Sequence, residues 1–135
     1  MSYHFGKKSL AKLQTCHHDL QLIANTAIKF RDFSVIEGHR TKEKQDQYFL
    51  EGKSKLKWPD SKHNLNPSQA FDIIPYPFSQ EDWENRELFI TFAHYIIGVS
   101  HGLGIDLRWG GDWDRDWDLT DNRFNDWPHF ELVRS

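Results

Sequence analysis

The sequence predicts an α+β domain in which a small antiparallel sheet packs with helices. Three observations support this fold class: helical periodicity in two long stretches, short apolar segments that do not alternate regularly with helices, and a length of 135 residues. A chain of this length buries roughly two thirds of its unfolded surface, enough for one core without disulfide or metal staples. We therefore expect a single domain over residues 1–135.

The helical periodicity places two long helices and a shorter one. Apolar side chains fall near one side of a 3.6-residue wheel over residues 10–30, with Ser9 as the N-cap. A second helix is expected over residues 41–51, from the capping residue Thr41 to a stop at Gly52. The strongest amphipathic pattern covers residues 81–103, where Ser79 is the expected cap and Trp83 is expected to point inward.

Four short segments have the apolar, β-branched or aromatic composition of strands. They are residues 33–36, 70–74, 105–109 and 130–133. Residues 53–69 contain Gly, Pro, Ser and Asn without periodicity, and we expect a long loop there. Long loops in compact domains tend to be functional.

Composition excludes several classes of protein. The 17 Lys and Arg against 20 Asp and Glu give a net charge of −3. Without a basic block, the chain lacks the electrostatic footprint of a nucleic-acid-binding protein. No apolar run approaches the ~18 residues of a membrane span, and the first residues lack the apolar stretch of a signal peptide. The single cysteine, Cys16, fits a reducing compartment, so we expect a soluble cytosolic product.

Two groups of polar residues lie where loops meet apolar strands. The first contains Ser61, His63 and, nine positions after that histidine, Asp72; the second contains Asp126 and His129. Two histidines and one carboxylate are a common catalytic zinc set, because three protein ligands leave the fourth position open for water. Spacing alone leaves open that the histidines are ordinary loop and strand residues. The position of Asp72 within an apolar strand favours the metal site, because a buried carboxylate must be paired with a cation or bound to a metal ion.

The same residues resemble a known family. The pattern is that of the zinc D-alanyl-D-alanine carboxypeptidases and the related phage L-alanyl-D-glutamate endopeptidases. It consists of Ser-x-His ending at His63, Ala-x-Asp ending at Asp72 and an acid-x-x-His pair ending at His129. Residues 37–45 resemble the family's Gly-x-Arg-Ser/Thr…Gln segment, and residues 109–114 with 128–132 resemble its endolysin branch. The matching segments extend from about Val35 to the C-terminus.

The resemblance implies a Hedgehog/DD-peptidase-like fold with one Zn²⁺ per chain at the edge of the sheet. It implies His63, Asp72 and His129 as zinc ligands, Asp126 as the catalytic carboxylate and Arg40 as the group that holds the developing oxyanion. The alternative for Arg40 is a surface ion pair.

Supporting roles around zinc and substrate are expected for three further residues. Ser61 and Gln45 would supply hydrogen-bonding groups, and Glu131 alternates outward beside Phe130 in the predicted strand. For Glu131 the proposed role is to orient a ligand imidazole, and the alternative is a solvated strand position.

The implied function is that of a phage-type endolysin that hydrolyses the L-Ala-D-Glu bond of peptidoglycan stem peptides. The enzymatic alternative is a D-Ala-D-Ala carboxypeptidase or dipeptidase, and a further alternative is a non-catalytic zinc-binding domain of the same fold. We expect peptidoglycan as the partner, no nucleic acid, no membrane insertion, no separate wall-binding domain and a monomer. The protein would be made in the bacterial host cytoplasm and would act in the periplasm or cell wall after release.

Two charged segments carry further hypotheses. The acidic loop 112–118 is similar to a calcium loop, although Trp117 at the turn position and Arg123 in place of the bidentate Glu exclude a standard EF-hand. A looser Ca²⁺ site there competes with ion pairs to nearby arginines. Lys53, Lys55 and Lys57 form a basic run that either faces solvent or meets the anionic cell wall.

Overall fold

The chain folds into a four-stranded sheet packed with helices. The computed structural model describes residues 3–113, 115 and 126–133. The α-helices are α1 (Lys7–Leu13), α2 (His18–Ala27), α3 (Lys42–Leu50) and α4 (Arg86–Gly102), and the strands are β1 (Phe33–Glu37), β2 (Ala70–Pro75), β3 (Leu107–Trp109) and β4 (His129–Leu132). Two 3₁₀-helices span Lys62–Asn64 and Gln80–Glu84. This architecture confirms the predicted α+β class.

The sheet is antiparallel throughout, with the strand order β1-β2-β4-β3. Asp72 of β2 is the register partner of His129 in β4 and of Glu37 in β1. The register between β1 and β2 shifts between Val35 and Glu37. The pairing therefore places three polar side chains in one row across three strands, on neighbouring positions that can interact.

The hydrophobic core lies on the other face of the sheet. Phe71 and Ile73, the neighbours of Asp72, are fully buried, as is Phe130 next to His129. Because successive side chains on a strand point to opposite faces, burial of these three directs the polar residues between them away from the core. Helix α4 packs against α2, β2 and β3 and covers this core.

The single helix predicted over residues 10–30 is wrong, because the chain forms two helices there. The segment between α1 and α2 leaves helical geometry and pairs with the loop before β2. The amide of His17 donates to the Ser68 carbonyl at 2.8 Å, and the amide of Ser68 donates to the Thr15 carbonyl at 2.9 Å. Ser9 is not the N-cap but lies inside α1, where its hydroxyl accepts from the Val35 amide at 3.0 Å.

The helix predicted over residues 81–103 begins later than expected. Residues Gln80–Glu84 form a 3₁₀-helix, and Asn85 caps α4 by accepting from the Leu88 amide at 3.1 Å. Trp83 therefore is not an inward residue of α4. Its side chain is 40% exposed, and its ring packs beside that of Phe89.

The remaining elements agree with the sequence patterns within about two residues. Thr41 caps α3 by accepting from the Lys44 amide, and Gly52 after this helix has a φ of 76°, which favours glycine. Within the described part of the chain, the helices are too short or too polar to cross a membrane.

Candidate active site

Three side chains from distant parts of the sequence converge over the two central strands, β2 and β4, on the face of the sheet that points away from the core. The site therefore does not lie at the edge of the sheet, where the resemblance placed it. His63 Nε2 lies 3.1 Å from Asp72 Oδ1 and 3.1 Å from His129 Nδ1, and that nitrogen lies 3.2 Å from Asp72 Oδ1. All three groups are largely shielded from solvent, with side-chain exposures of 1%, 14% and 8% in the order His63, Asp72, His129. The structure thus brings together the three ligands that the sequence predicts.

Local structure explains why these atoms meet. Asp72 and His129 are cross-strand partners in β2 and β4. His63 reaches them from the 3₁₀-helix Lys62–Asn64, whose N-cap is Ser61. The Ser61 hydroxyl accepts from the His63 amide at 3.2 Å, so this serine positions the histidine.

The hydrogen bond on the outer side of each imidazole ring determines which ring nitrogen faces the centre of the site. His63 Nδ1 donates to the Gly38 carbonyl at 2.8 Å, and His129 Nε2 donates to Glu131 Oε1 at 2.8 Å. Each of these ring nitrogens keeps its proton and donates it to the acceptor, so the second nitrogen of each ring, which is directed inward, is the one whose lone pair can bind a metal ion or a further proton. Three such donor atoms then face one another, an arrangement that requires a cation or a proton between them.

The donor atoms fit a metal ion. Tetrahedral zinc with ligand distances of about 2.0–2.1 Å separates its ligand atoms by roughly 3.3 Å, close to the distances found here. Two imidazoles and one carboxylate, all within 4.8 Å of one another, form a group that could hold such an ion. A second group, His17, His18 and Asp19, also meets this distance criterion, but the His18 side chain is 83% exposed at the surface.

Charge in the site is shared between the carboxylates and His129. Burial opposes ionisation of Asp72, yet the neighbouring His63 and His129 hold its pKa well below the usual range. Burial alone would lower the pKa of His129, but hydrogen bonds to Asp72 and Glu131 raise it to about 10. The site therefore attracts positive charge at His129 Nδ1, either as a proton or as a metal ion.

Asp126 lies next to the three converging side chains. Its Oδ2 is 4.0 Å from His129 Nδ1, and its side chain is 31% exposed. Burial, and secondly the negative charge of Asp72, raise the pKa of Asp126 to about 6. A carboxyl group with this pKa can accept and release a proton near neutral pH, as a general base must.

Close backbone contact with Gly110 holds Asp126 in place. The Asp126 amide donates to the Gly110 carbonyl at 2.9 Å, and the Gly110 amide donates to the His129 carbonyl at 2.8 Å. A Cβ atom at position 110 would overlap the Asp126 carbonyl oxygen. Glycine is therefore required for this approach.

Arg40 is buried and fixed by three neighbours. Its Nε donates to Glu37 Oε1 at 3.0 Å and its Nη1 donates to Gln45 Oε1 at 2.9 Å. Its Nη2 lies 3.7 Å from Asp72 Oδ2. This arrangement is not the surface ion pair considered as an alternative, because the Arg40 side chain is only 7% exposed.

The other predicted supporting residues lie around this centre at different depths. Glu131 accepts from the His129 ring at Oε1, and its Oε2 lies 3.6 Å from the Lys62 ammonium. Glu131 is therefore not merely a solvated strand residue. Gln45 is fully buried, and besides Arg40 it contacts Ser54 and Leu56. We infer that Gln45 supports Arg40 and the following loop rather than contacting substrate.

Sequence reasoning missed the supporting roles of several residues near Arg40. Glu37 pairs with Arg40 and, at 3.1 Å, with Lys44; Asn64 donates to the Arg40 carbonyl at 3.2 Å. The guanidinium also lies 4.7 Å from the centre of the Tyr48 ring. The sequence offered one signal for Glu37, which is its position directly after the apolar segment 33–36 and three positions before Arg40.

These residues open onto a cleft of about 800 Å³. One wall comes from α3 and the loop after it, including Tyr48 and residues 53–56. Aromatic side chains at positions 83, 113 and 127 contribute to the lining, and the Trp113 ring lies 5.4 Å from that of His129. Trp113 and Trp127 thus form part of an aromatic wall, whereas Trp109 is buried in the core.

The calcium hypothesis falls mostly on residues that the structure does not describe. Of loop 112–118, residues 114 and 116–118 lie outside the described residues, together with Arg123. The described Asp112 belongs to neither of the two groups that could hold a metal. The looser Ca²⁺ site therefore stays a prediction without support from the described residues.

Comparison with known proteins identifies the family of this chain. The family model for the phage L-alanyl-D-glutamate peptidases matches residues 1–133. The chain belongs to this family. The L-alanyl-D-glutamate peptidase of Escherichia phage T5 is 33% identical over 138 residues, which cover 98% of this chain and 100% of that relative. Membership confirms the predicted resemblance and the predicted class of enzyme, a peptidase.

A solved structure shows the same fold for this member of the phage peptidase family. The crystal structure of the Serratia marcescens L-Ala D-Glu endopeptidase ChiX superposes with a TM-score of 0.73 at 24% sequence identity. The match covers 96% of this chain and 90% of that one. It confirms the predicted arrangement of sheet and helices.

Proposed function

We propose that the chain is a zinc-dependent endopeptidase that cleaves the L-Ala-D-Glu bond of peptidoglycan stem peptides and acts as a phage-type endolysin. The observation that carries the proposal is the set of three inward-facing lone pairs on His63, Asp72 and His129, with Asp126 beside them in an open cleft. Family membership supplies the peptidase activity and the relatives' names supply the bond.

Zinc is the favoured metal because of the donor atoms. Two imidazole nitrogens and one carboxylate oxygen suit Zn²⁺, whereas Ca²⁺ and Mg²⁺ prefer oxygen ligands in larger number. Three protein ligands leave a fourth position for water or substrate, as in catalytic zinc sites. We propose one Zn²⁺ per chain, held by His63, Asp72 and His129.

The proposed chemistry divides between the metal and the protein groups. A bound zinc ion lowers the pKa of water and polarises the scissile carbonyl. Asp126 accepts the proton of the attacking water at Oδ2 and passes it to the leaving amine. Arg40 presents Nη2 towards the site, because its Nε and Nη1 are held by Glu37 and Gln45, and it stabilises the negative charge on the carbonyl oxygen.

The size of the cleft fits a peptide substrate. At about 800 Å³ it lies near the upper end of the range for small-molecule sites, and it is lined from residues 53–56 through to Trp127. Such a cleft has room for substrate residues on both sides of the scissile bond. A D-Ala-D-Ala carboxypeptidase would use the same catalytic groups, so the product of the reaction must distinguish the two.

The proposal includes where the enzyme acts. We propose that it is made in the bacterial cytoplasm, acts as a monomer and reaches peptidoglycan in the periplasm or cell wall after release. Light scattering of the purified protein would test the monomer, and a dimer mass would contradict it.

Mass spectrometry of digested peptidoglycan tests the function. Purified sacculi are incubated with the zinc-loaded protein, and the released peptides are sequenced. New N-terminal D-Glu is the expected product, whereas loss of terminal D-Ala alone would establish the carboxypeptidase instead. Metal analysis of the same sample should give about one zinc per chain. Zinc without any hydrolysis would favour the non-catalytic binding domain.

A further inference from the structure

The basic run of Lys53, Lys55 and Lys57 has no role in the reaction described so far. Two of its members, Lys53 and Lys55, line the cleft that contains the metal group. Lys57 does not, and its ammonium lies 4.9 Å from the centre of the Phe49 ring. The cleft therefore has a cationic segment on the wall formed by the loop after α3.

The proposed substrate carries an anion close to the bond that is cut. A glutamyl residue has two carboxyl groups, and only one of them continues the peptide. Whichever one continues it, the other is a free carboxylate a few bonds from the scissile amide, on the side of the leaving amine. An enzyme that selects this bond gains specificity from a cation placed for that carboxylate.

Two other cations of the cleft are already engaged. Arg40 is buried, and its Nε and Nη1 donate to Glu37 and Gln45. Lys62 donates to the Leu132 carbonyl and lies 3.6 Å from Glu131 Oε2. Because these groups hold the site together, moving either to a substrate carboxylate would cost existing interactions.

Lys53 is engaged only weakly. Its ammonium is 3.3 Å from Glu51 Oε1, and the two side chains are 66% and 39% exposed. An ion pair this exposed contributes little, so a substrate carboxylate can replace Glu51 at small cost.

The loop that carries these lysines is tied to the catalytic side of the cleft. Gln45 Nε2 donates to Ser54 Oγ at 2.9 Å and to the Leu56 carbonyl at 2.6 Å, while its Oε1 accepts from Arg40. Gln45 is fully buried, so the side chain that links Arg40 to residues 54–56 is itself shielded from water. The backbone on both sides of Lys55 is thereby held at a set position relative to the site.

We propose that Lys53 and Lys55 bind the free carboxylate of the glutamyl residue and so determine the specificity for L-Ala-D-Glu. The inference rests on the proposed function and assigns to these lysines the leaving-group side of the substrate. Selectivity here comes from the charge of one substrate group rather than from the metal ligands.

Paired substrates test the assignment. Two synthetic stem peptides are compared, one with the free glutamyl carboxylate and one with that group converted to a carboxamide. The wild-type enzyme should prefer the carboxylate peptide by about tenfold in kcat/KM, the effect of one hydrogen bond between charged groups at a partly exposed site. The variant Lys53→Gln/Lys55→Gln should cleave both peptides at the lower rate. Lys57→Gln removes the same charge from the same loop outside the cleft and should keep the wild-type preference.

Binding gives a second readout that does not require turnover. The zinc-loaded Asp126→Asn protein and the same protein with both lysine changes are titrated calorimetrically with the two peptides. The lysine changes should weaken only the binding of the carboxylate peptide. A preference that survives in the double variant, or an equal loss in Lys57→Gln, would overturn the assignment. Failure of the wild-type enzyme to cleave either peptide would instead refute the proposed function.

Discussion

His63 and His129 face the centre of the site with different ring nitrogens, Nε2 and Nδ1. The choice is made by the acceptors behind them, the Gly38 carbonyl and the Glu131 carboxylate. One acceptor is neutral and the other is charged. Hydrogen bonds to Asp72 and to the charged acceptor, Glu131, raise the pKa of His129 to about 10.

Zinc binding should therefore release a proton from His129. At pH 8 the imidazole is protonated in the protein before metal is added, because this pH lies below its pKa of about 10. The metal requires the lone pair of Nδ1, so about one proton per zinc should leave this residue. Calorimetric titration of zinc in buffers of different ionisation enthalpy measures the number. The variant Glu131→Gln should release a smaller fraction at the same pH, and equal release would contradict the assignment.

Asp126→Asn should separate hydrolysis from metal binding. The amide has nearly the same size but cannot accept the proton, so kcat should fall by about 10²–10⁴. Zinc content should stay near that of the wild type, because Asp126 is not one of the three converging donors. Stopped assays with peptidoglycan and metal analysis of the same preparation test both statements. Loss of zinc in this variant would mean that Asp126 is a ligand.

The pH dependence should report the same carboxylate. Burial and Asp72 raise the pKa of Asp126 to about 6, and the proton-accepting form is the ionised one. Activity should therefore fall as the pH decreases through that pKa, and a bound cation would move the midpoint downward from about 6. A profile of kcat/KM from pH 4 to 8 tests this, with zinc content checked at each pH. An acid limb above pH 7 would contradict the assignment.

At the scale of elements, the parts of the fold that local patterns specify were predictable. The caps and strand compositions gave α3, β1 and β2 nearly within their bounds. The break between α1 and α2 was not predictable, because it depends on pairing between Cys16 and Ser68, far apart in sequence. The three candidate ligands were predictable from the family pattern, whereas the buried partner of Arg40, Glu37, depends on the β1-β2 register, which sequence alone does not supply.

The close backbone contact between Gly110, which follows β3, and Asp126, which precedes β4, should be disrupted by a single added methyl group. Gly110→Ala places a Cβ against the Asp126 carbonyl oxygen, so the segment that carries Asp126 must shift. A displacement of about 1 Å at a catalytic group can cost roughly 100-fold in rate. We expect kcat to fall strongly with a smaller change in zinc content, measured by peptide hydrolysis and metal analysis.

Gly98→Ala is the matched control for this prediction. Gly98 lies inside α4, and nothing approaches its Cβ position within 4 Å. The change should leave activity unaltered and raise stability by up to about 1 kcal/mol, because alanine favours helix over glycine. Equal activity of the two variants would contradict the steric role of Gly110.

At the scale of the whole molecule, the site joins parts of the chain that only folding brings together. His63 and His129 are 66 positions apart, and Asp72 belongs to β2, the strand that pairs with the strand of His129. The unfolded chain holds no such arrangement of donors, so a metal binds the folded state preferentially. Metal binding and global stability should therefore be linked.

Thermal unfolding should measure this linkage and identify the ligands at the same time. Zinc at about 100 times its dissociation constant stabilises the folded state by about 2.7 kcal/mol, which corresponds to roughly 8 °C in Tm for a chain of this size. Chelation should remove the increase. Asp72→Asn, which replaces one converging donor, should unfold at the same temperature with and without zinc, whereas Asp126→Asn should keep the full increase. If both variants lost the increase, Asp126 would belong to the metal centre, and the proton transfer assigned to it would have to come from another group.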